Sequence, residues 1–256
     1  MVDSALTRQE ITQALRARLE PLDYVHALWE GGAASFNRVD EWSDIDLQVA
    51  VDDDCVAQVF PIVEEVLQSL SPIDLRYEIP QPAWHGHAQV FYRLSQASKF
   101  LLIDFVVIKK SNPLKFLEPE IHGNAVVHFD KANVTKVEPL DRTAWNAKLR
   151  ERVNTLRVTF DLFQSLTLKE LNRHNTIEAL AFYNGYTLRP LIEALRILHV
   201  PTRYNFSTRY LYYELPAEVV RRLEKLFFVQ NEDDLREKQI QAEKWFYETL
   251  TQIRLD

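Results

Sequence analysis

Apolar and polar positions change their period along the chain. Thr7-x-x-Glu10 is a capping-box pattern, and Ile11, Leu15 and Leu19 follow at helical spacing, which predicts a first helix ended by Pro21. Residues 24–29 read as a strand that runs into Gly31-Gly32, and residues 45–51 as a second strand. Val56, Val59, Phe60, Val63, Val66, Leu67 and Leu70 mark an amphipathic helix. Residues 73–79, 88–94 and 100–108 predict three more strands, and residues 126–129 a short sixth.

Past about residue 140 the period is helical throughout. Leu149, Val153, Leu156, Phe160 and Phe163 step along one face. Residues 176–199 form a second helical pattern, with a kink expected at Pro190. Pro216 opens a third, with Val219, Val220, Leu223 and Phe227. Asn231 caps a fourth that carries Leu235, Ala242, Phe246 and Ile253. Four antiparallel helices packed as a bundle are the simplest arrangement of these stripes. The expected organisation is an α/β domain over residues 1–135 and an α-helical bundle over residues 140–256.

Composition narrows the function classes. The chain has 256 residues, 46% hydrophobic, enough to build a core without covalent staples. Its single cysteine, Cys55, excludes an internal disulfide and a cysteine-rich zinc site. A net charge of −7 argues against a whole-surface nucleic-acid binder. No apolar run reaches membrane-spanning length, and Met1-Val2-Asp3-Ser4 lacks a basic, apolar leader pattern. A cytoplasmic protein with no membrane partner is the expectation.

The chemistry concentrates between Trp29 and Leu47. Asp44 and Asp46 lie two apart at the head of a strand, so both carboxylates share one face, while Ile45 and Leu47 point to the buried side. Two like charges this close call for a cation between them, which marks a hard-metal site. Asp104 is a lone carboxylate in the apolar run 100–108 and needs a partner or a cation. If its strand lies beside the Asp44–Asp46 strand, three carboxylates converge, enough to hold two Mg²⁺ ions for in-line phosphoryl or nucleotidyl transfer. Gly31-Gly32 follows a strand, so backbone amides can approach a phosphate.

A strand, Gly31-Gly32, an eleven-residue gap and then Asp44-Ile45-Asp46-Leu47 resembles the signature of the DNA polymerase β-like nucleotidyltransferase superfamily. The small bacterial enzymes similar to aminoglycoside and lincosamide nucleotidyltransferases, which carry a C-terminal helical domain, are the best match within it. The motif covers about residues 24–51, and Asp104 matches the third carboxylate. The resemblance implies an α+β fold, a mixed twisted sheet with helices followed by an all-α bundle. It implies Asp44 and Asp46 as Mg²⁺ ligands, Asp104 as ligand, general base or both, and Gly31 and Gly32 at the β/γ-phosphates. The reaction implied moves an NMP group from an NTP, with ATP the expected donor, to an acceptor hydroxyl and releases pyrophosphate. The active site is expected in the cleft between the domains. Relatives often read Gly-Gly-Ser. Here Ala33 follows the pair, which removes one phosphate-binding hydroxyl, and Ser35 lies two residues too late to replace it. Asn37 stands where a turn glycine is common and tolerates positive φ.

Other residues have plainer readings beside the functional ones. Ser43 either bonds the triphosphate or caps a turn. Arg38 and Lys109 read as surface charge more than phosphate partners, and Asp74 as structural. His85, His87, His122 and His128 lack zinc-ligand spacing, and Trp84 either lines a pocket or packs in its loop. Tyr183, Tyr186, Arg189, Glu193, Arg203, Tyr204, Arg209, Tyr210, Tyr212 and Tyr213 pack the bundle or line the cleft, and Glu178 is a distant candidate base. The partners expected are a nucleoside triphosphate and a small-molecule or protein acceptor, with the oligomeric state open. Three rivals remain: a nucleic-acid-directed transferase, a catalytically weak nucleotide-binding module, and a protein-modifying transferase of the toxin or antitoxin type.

Overall fold

A computed structural model describes residues 6–255. The chain divides into two compact units, one ending at Pro139 and one beginning at Leu140.

The first unit contains α1 (Arg8–Leu19), β1 (Val25–Glu30), α2 (Gly32–Ser35), β2 (Ile45–Val51), α3 (Val56–Leu70), β3 (Ile73–Glu78), β4 (Ala88–Leu94), β5 (Ile103–Lys109), α4 (Pro119–His122) and β6 (Val126–Asp130). Its sheet runs β3-β4-β5-β2-β1-β6. The β2/β5 pair is parallel and the other pairs are antiparallel, so the sheet is mixed. The capping box forms as expected, with Thr7 accepting from Glu10 N and Glu10 accepting from Thr7 N at 2.8 Å. Ile11, Leu15 and Leu19 of α1 and Val59, Val63 and Leu67 of α3 share one core with the inward positions of the strands.

Strand alternation sorts β2 and β5 into two faces. Ile45, Leu47, Val49 and Val51, with Ile103, Phe105 and Val107, fill the core beneath the helices. Ala50 and Ile108 face the other way and pack with Ala27, Trp29 and Leu117. Asp46 and Asp104 belong to that second face by the same alternation. The expected strand over residues 100–108 starts later, at Ile103, because residues 98–102 turn and Leu102 O accepts from Ile45 N at 2.8 Å.

The second unit is helical: α5 (Arg142–Asn172), α6 (Thr176–Phe182), a π-helical segment (Tyr183–Leu188), α7 (Arg189–His199), a 3₁₀ segment (Pro201–Phe206), α8 (Leu211–Glu214), α9 (Ala217–Phe227) and α10 (Glu232–Gln252). Asn231 caps α10 by accepting from Asp234 N at 2.9 Å. Phe160 and Phe246 stack at 3.7 Å in the shared core. The expected kink at Pro190 is instead a widened turn just ahead of it, where Arg189 N reaches back to Asn184 O. Gln164 of α5 supports this turn by donating to Tyr186 O at 2.9 Å and accepting from Thr187 Oγ1 at 2.7 Å. A proline needs no N–H partner, so the irregularity falls beside it. Among the described residues, no helix is long and apolar enough to cross a membrane.

Candidate active site

Three segments converge at one end of the acid-bearing face. β2 and β5 run parallel with Asp46 directly opposite Asp104, so two carboxylates from strands distant in sequence share a face and a level. Asp44, two residues upstream of Asp46, is half-buried and close enough to raise the proton affinity of both. Burial, then Asp44 and Asp104, push Asp46 up to about 7, with Arg8 pulling the other way. Burial pushes Asp104 up to about 6, opposed by a 2.7 Å hydrogen bond from Gln89 Nε2, with Asp44 adding to the rise.

The glycine turn lies on top of this pair. A Cβ at Gly32 would stand 1.6 Å from Asp46 Oδ2, and Gly32 has a φ of +54°. A Cβ at Gly31 would stand 2.8 Å from Gln48 Nε2. No side chain fits either position while Asp46 and Gln48 hold their places. Gly31 N donates to Asp46 O at 2.9 Å, so its amide is already used. The amides of the first turn of α2, Gly32, Ala33 and Ala34, precede the first bond of that turn, Ser35 N to Gly31 O. The helix after the glycines is a single turn: the chain leaves it at Phe36 and passes through Asn37 at a φ of 55°, the positive value expected for that asparagine.

The remaining candidates separate by their contacts. Ser43 Oγ donates to Asp40 Oδ1 at 2.7 Å and accepts from Asp40 N at 3.0 Å, which closes the turn before β2. Ser35 Oγ lies 2.5 Å from His122 O and 2.9 Å from Gly32 O, tying α2 to α4. Asp74 pairs with Arg93 across β3 and β4. His87 is buried with Asn112 Nδ2 at 3.3 Å from its Nδ1, and Phe116 packs edge-on against His87 and His122. Trp84 is 86% exposed beside His85 and Phe116.

In the helical unit, Tyr183 is buried and donates to Leu226 O at 3.0 Å, which makes it a core residue. Arg152 pairs with Glu193, and together with Arg189, Tyr204, Asn205 and Ser207 they line a cavity of about 270 Å³. Glu178 is exposed at the start of α6.

Four residues of the site are not singled out by the sequence pattern. Gln89 holds Asp104, and Gln48 lies beneath Gly31. Arg8 donates to Asp44 O and to Glu30 Oε1. Burial pushes Glu30 up, but His128 and Arg8 outweigh it and hold the carboxyl below its ordinary value. His128 Nε2 lies 3.7 Å from Glu30 Oε2, longer than a hydrogen bond. The position of Glu30 just before the glycines was the one available hint.

Among the described residues, no group of three or more His, Cys, Asp or Glu side chains stands placed to hold a metal ion. The donor set nonetheless fits a hard cation. It offers the carboxylates of Asp46 and Asp104 at one level of the sheet, both raised in proton affinity by burial and by Asp44, and among the described residues neither forms a salt bridge.

No family model matches the chain, and no curated protein matches it in sequence. Solved structures do match. One is an aminoglycoside 6-adenyltransferase from Bacillus subtilis, 10% identical, covering 97% of this chain and 90% of that one with a TM-score of 0.40. Another is a spectinomycin adenyltransferase from Enterococcus faecialis with ATP and spectinomycin, 9% identical, covering 96% and 100% with a TM-score of 0.36. Likeness at this level is one of outline, and the functional reading rests on the site itself.

Proposed function

We propose that the chain is a Mg²⁺-dependent nucleotidyltransferase that moves an NMP group from an NTP to an acceptor hydroxyl. The register of Asp46 against Asp104 beneath the Gly31-Gly32 turn carries this reading. Asp44, Asp46 and Asp104 would hold the ions, whose chemistry is to neutralise the triphosphate and acidify the acceptor hydroxyl. The amides of Gly32 and Ala33 hold the outer phosphates of the donor. Ser43 fixes the turn that delivers Asp44, so its part is to shape the strand entry. Asp104, held opposite Asp46 by the strand register, accepts the acceptor proton. The acceptor oxygen bonds to the α-phosphorus, the bridging oxygen to the β-phosphorus leaves with the electron pair, and pyrophosphate departs. Gln89 keeps Asp104 oriented through the exchange.

One observation favours a second reading, a nucleotide-binding module with little turnover. Gly31 N is tied to Asp46 O and Ala33 offers no hydroxyl, so the phosphate cradle has few donors. Calorimetric titration of ATP, GTP, CTP and UTP in Mg²⁺, followed by pyrophosphate detection with hydroxyl acceptors, decides between them. The expected result is Mg²⁺-dependent binding of one NTP, abolished by chelator and by Asp46→Asn with an unchanged circular dichroism spectrum. A folded Asp46→Asn chain that still transfers would overturn the mechanism. Binding without pyrophosphate release from any acceptor would favour the module.

A further inference from the structure

The chain leaves the sheet after Glu30 and returns to it at Ile45. Between these points lie the glycine turn, the single-turn α2, Asn37 and the Asp40–Ser43 turn. The last backbone bond closing this excursion is Gly31 N to Asp46 O. One side chain from elsewhere grips both of its ends. Arg8 donates through one nitrogen to Asp44 O and through the other to the Glu30 carboxylate.

We propose that Arg8 is a positioning residue, a brace that fixes the glycine turn relative to the Asp44–Asp46 strand. Its value for turnover rests on the nucleotidyl-transfer reading, while the brace itself rests on the geometry.

Three features make the brace stiff. The root of Arg8 is anchored: it is the first residue of α1, inside the Thr7–Glu10 capping box and just ahead of the fully buried Ile11, Leu15 and Leu19. Its carboxylate partner is held too. The Glu30 side chain is 7% exposed, and its second oxygen faces His128. His128 sits at the register shift between β1 and β6 opposite Leu28 and Trp29, where a bulge turns a side chain toward Glu30. Third, the task needs a planar fork. A guanidinium reaches a carbonyl and a carboxylate at once with fixed geometry, whereas an ammonium is a point charge on a flexible stem. A cavity of about 520 Å³ lined by Thr7, Arg8, Gln13, Arg16, Glu30 and His128 opens onto the guanidinium. A small cation can therefore reach the position that Arg8 occupies.

The test uses the whole chain as wild type, Arg8→Ala and Arg8→Lys. Hydrogen–deuterium exchange is read over residues 30–46 without ligand, and Mn²⁺ binding by electron paramagnetic resonance without nucleotide. In Arg8→Ala, exchange over 30–46 should rise and Mn²⁺ affinity should fall, each about tenfold, as for loss of a charge-assisted hydrogen bond. Exchange in β4 and in the helical unit should stay unchanged. Added methylguanidinium should restore both readouts in Arg8→Ala and change neither in wild type. A purely structural role would lower protection throughout the unit and would not respond to the added cation. Arg8→Lys keeps the stem and the charge, so it folds where alanine does not, and it should still show the exchange increase over 30–46. Unchanged exchange there, or lysine matching arginine in both readouts, overturns the brace. Wild type that binds Mn²⁺ but transfers nothing overturns the transferase reading and leaves the brace standing.

Discussion

The two units bury charge in opposite ways. In the helical unit the Arg196 and Glu214 side chains are 0% and 2% exposed and paired at 2.7 Å. Arg196 spends its remaining donors on the carbonyls of Ser207, Arg203 and Arg209, so every edge of the guanidinium is used. It thereby holds the irregular stretch between α7 and α9, where Ser207 and Tyr210 take positive φ. In the sheet unit Asp46 and Asp104 are half-buried side by side with like charge, and desolvation and the nearby Asp44 raise both. The contrast lies within the sheet unit too, since Glu30, a short step away, is buried, paired with Arg8 and lowered. A satisfied buried charge serves the fold. Like charges crowded together cost stability instead, and a cost of that kind is what singles out a candidate site.

The sharpest way to break this comparison is in the helical unit. Arg196→Met takes a guanidinium from beside the buried Glu214 carboxylate, where Arg203 lies at 3.4 Å, and removes a donor from three carbonyls. Destabilisation of about 3–5 kcal/mol is expected from denaturant unfolding followed in the helical signal. The double variant Arg196→Met/Glu214→Leu should regain a large part of it, because removing both charges removes the desolvation problem. A loss under about 1 kcal/mol in the single variant would mean that the pair is no more than a surface bridge in energy.

The opposite sign is expected at Asp46. Its folded value of about 7 lies above the ordinary 3.8, so the ionised form is disfavoured by folding. The penalty is absent below the unfolded value and fully present above the folded one. Asp46→Asn should therefore stabilise the metal-free chain by about 2–4 kcal/mol above neutrality, discounted for partial exposure, with the gain vanishing as pH falls to about 4. Mg²⁺ should raise the melting temperature of wild type and leave the variant unmoved. An Asn variant less stable than wild type at every pH would show that the carboxylate is held by partners, as Glu30 is.

Much of this was legible because it is local. The Gly31-Gly32 and Asp44–Asp46 spacing, the capping box at Thr7 and the Asn231 cap depend on residues close in sequence. Asp104 stood out because a single carboxylate in an apolar run is anomalous wherever its strand lies. Its register against Asp46 depends on a pairing of distant strands, which no local pattern specifies. Arg8, Gln48 and Gln89 were silent for the same reason: their partners are far along the chain, and polar residues at those positions are ordinary. Arg196 was hidden differently. On a helix whose neighbours are Leu195 and Ile197, an arginine reads as the solvated face. It is buried because the segment after α7 folds back over it. The π turn before Pro190 was misplaced because a proline marks an irregularity without saying which turn absorbs it.

A third mode of burial gives the smallest effect and refines the contrast. His87 is 1% exposed, has no hydrogen-bond partner at Nε2, and is pushed down to about 4 by burial and by His85. It avoids the cost of a buried charge by staying neutral, where Arg196 pairs and Asp46 crowds. The sign follows from its lowered value. The unfolded chain takes up the proton near 6.5 and the folded chain only near 4, so stability is full above 6.5 and falls as pH drops through that window. The loss by pH 4 should be about 2 kcal/mol, against an Asp46 contribution that runs the other way over much of the same range. His87→Gln, which cannot take the proton, should remove the acid-side loss and leave the Asp46 slope exposed. Carbon-13 shifts of the ring read the same point directly: His87 should remain neutral through the window between the ordinary 6.5 and its own value of about 4. An imidazole that takes up its proton near the ordinary 6.5 would show that the His87 pocket admits water and belongs with the open acid face rather than with the core.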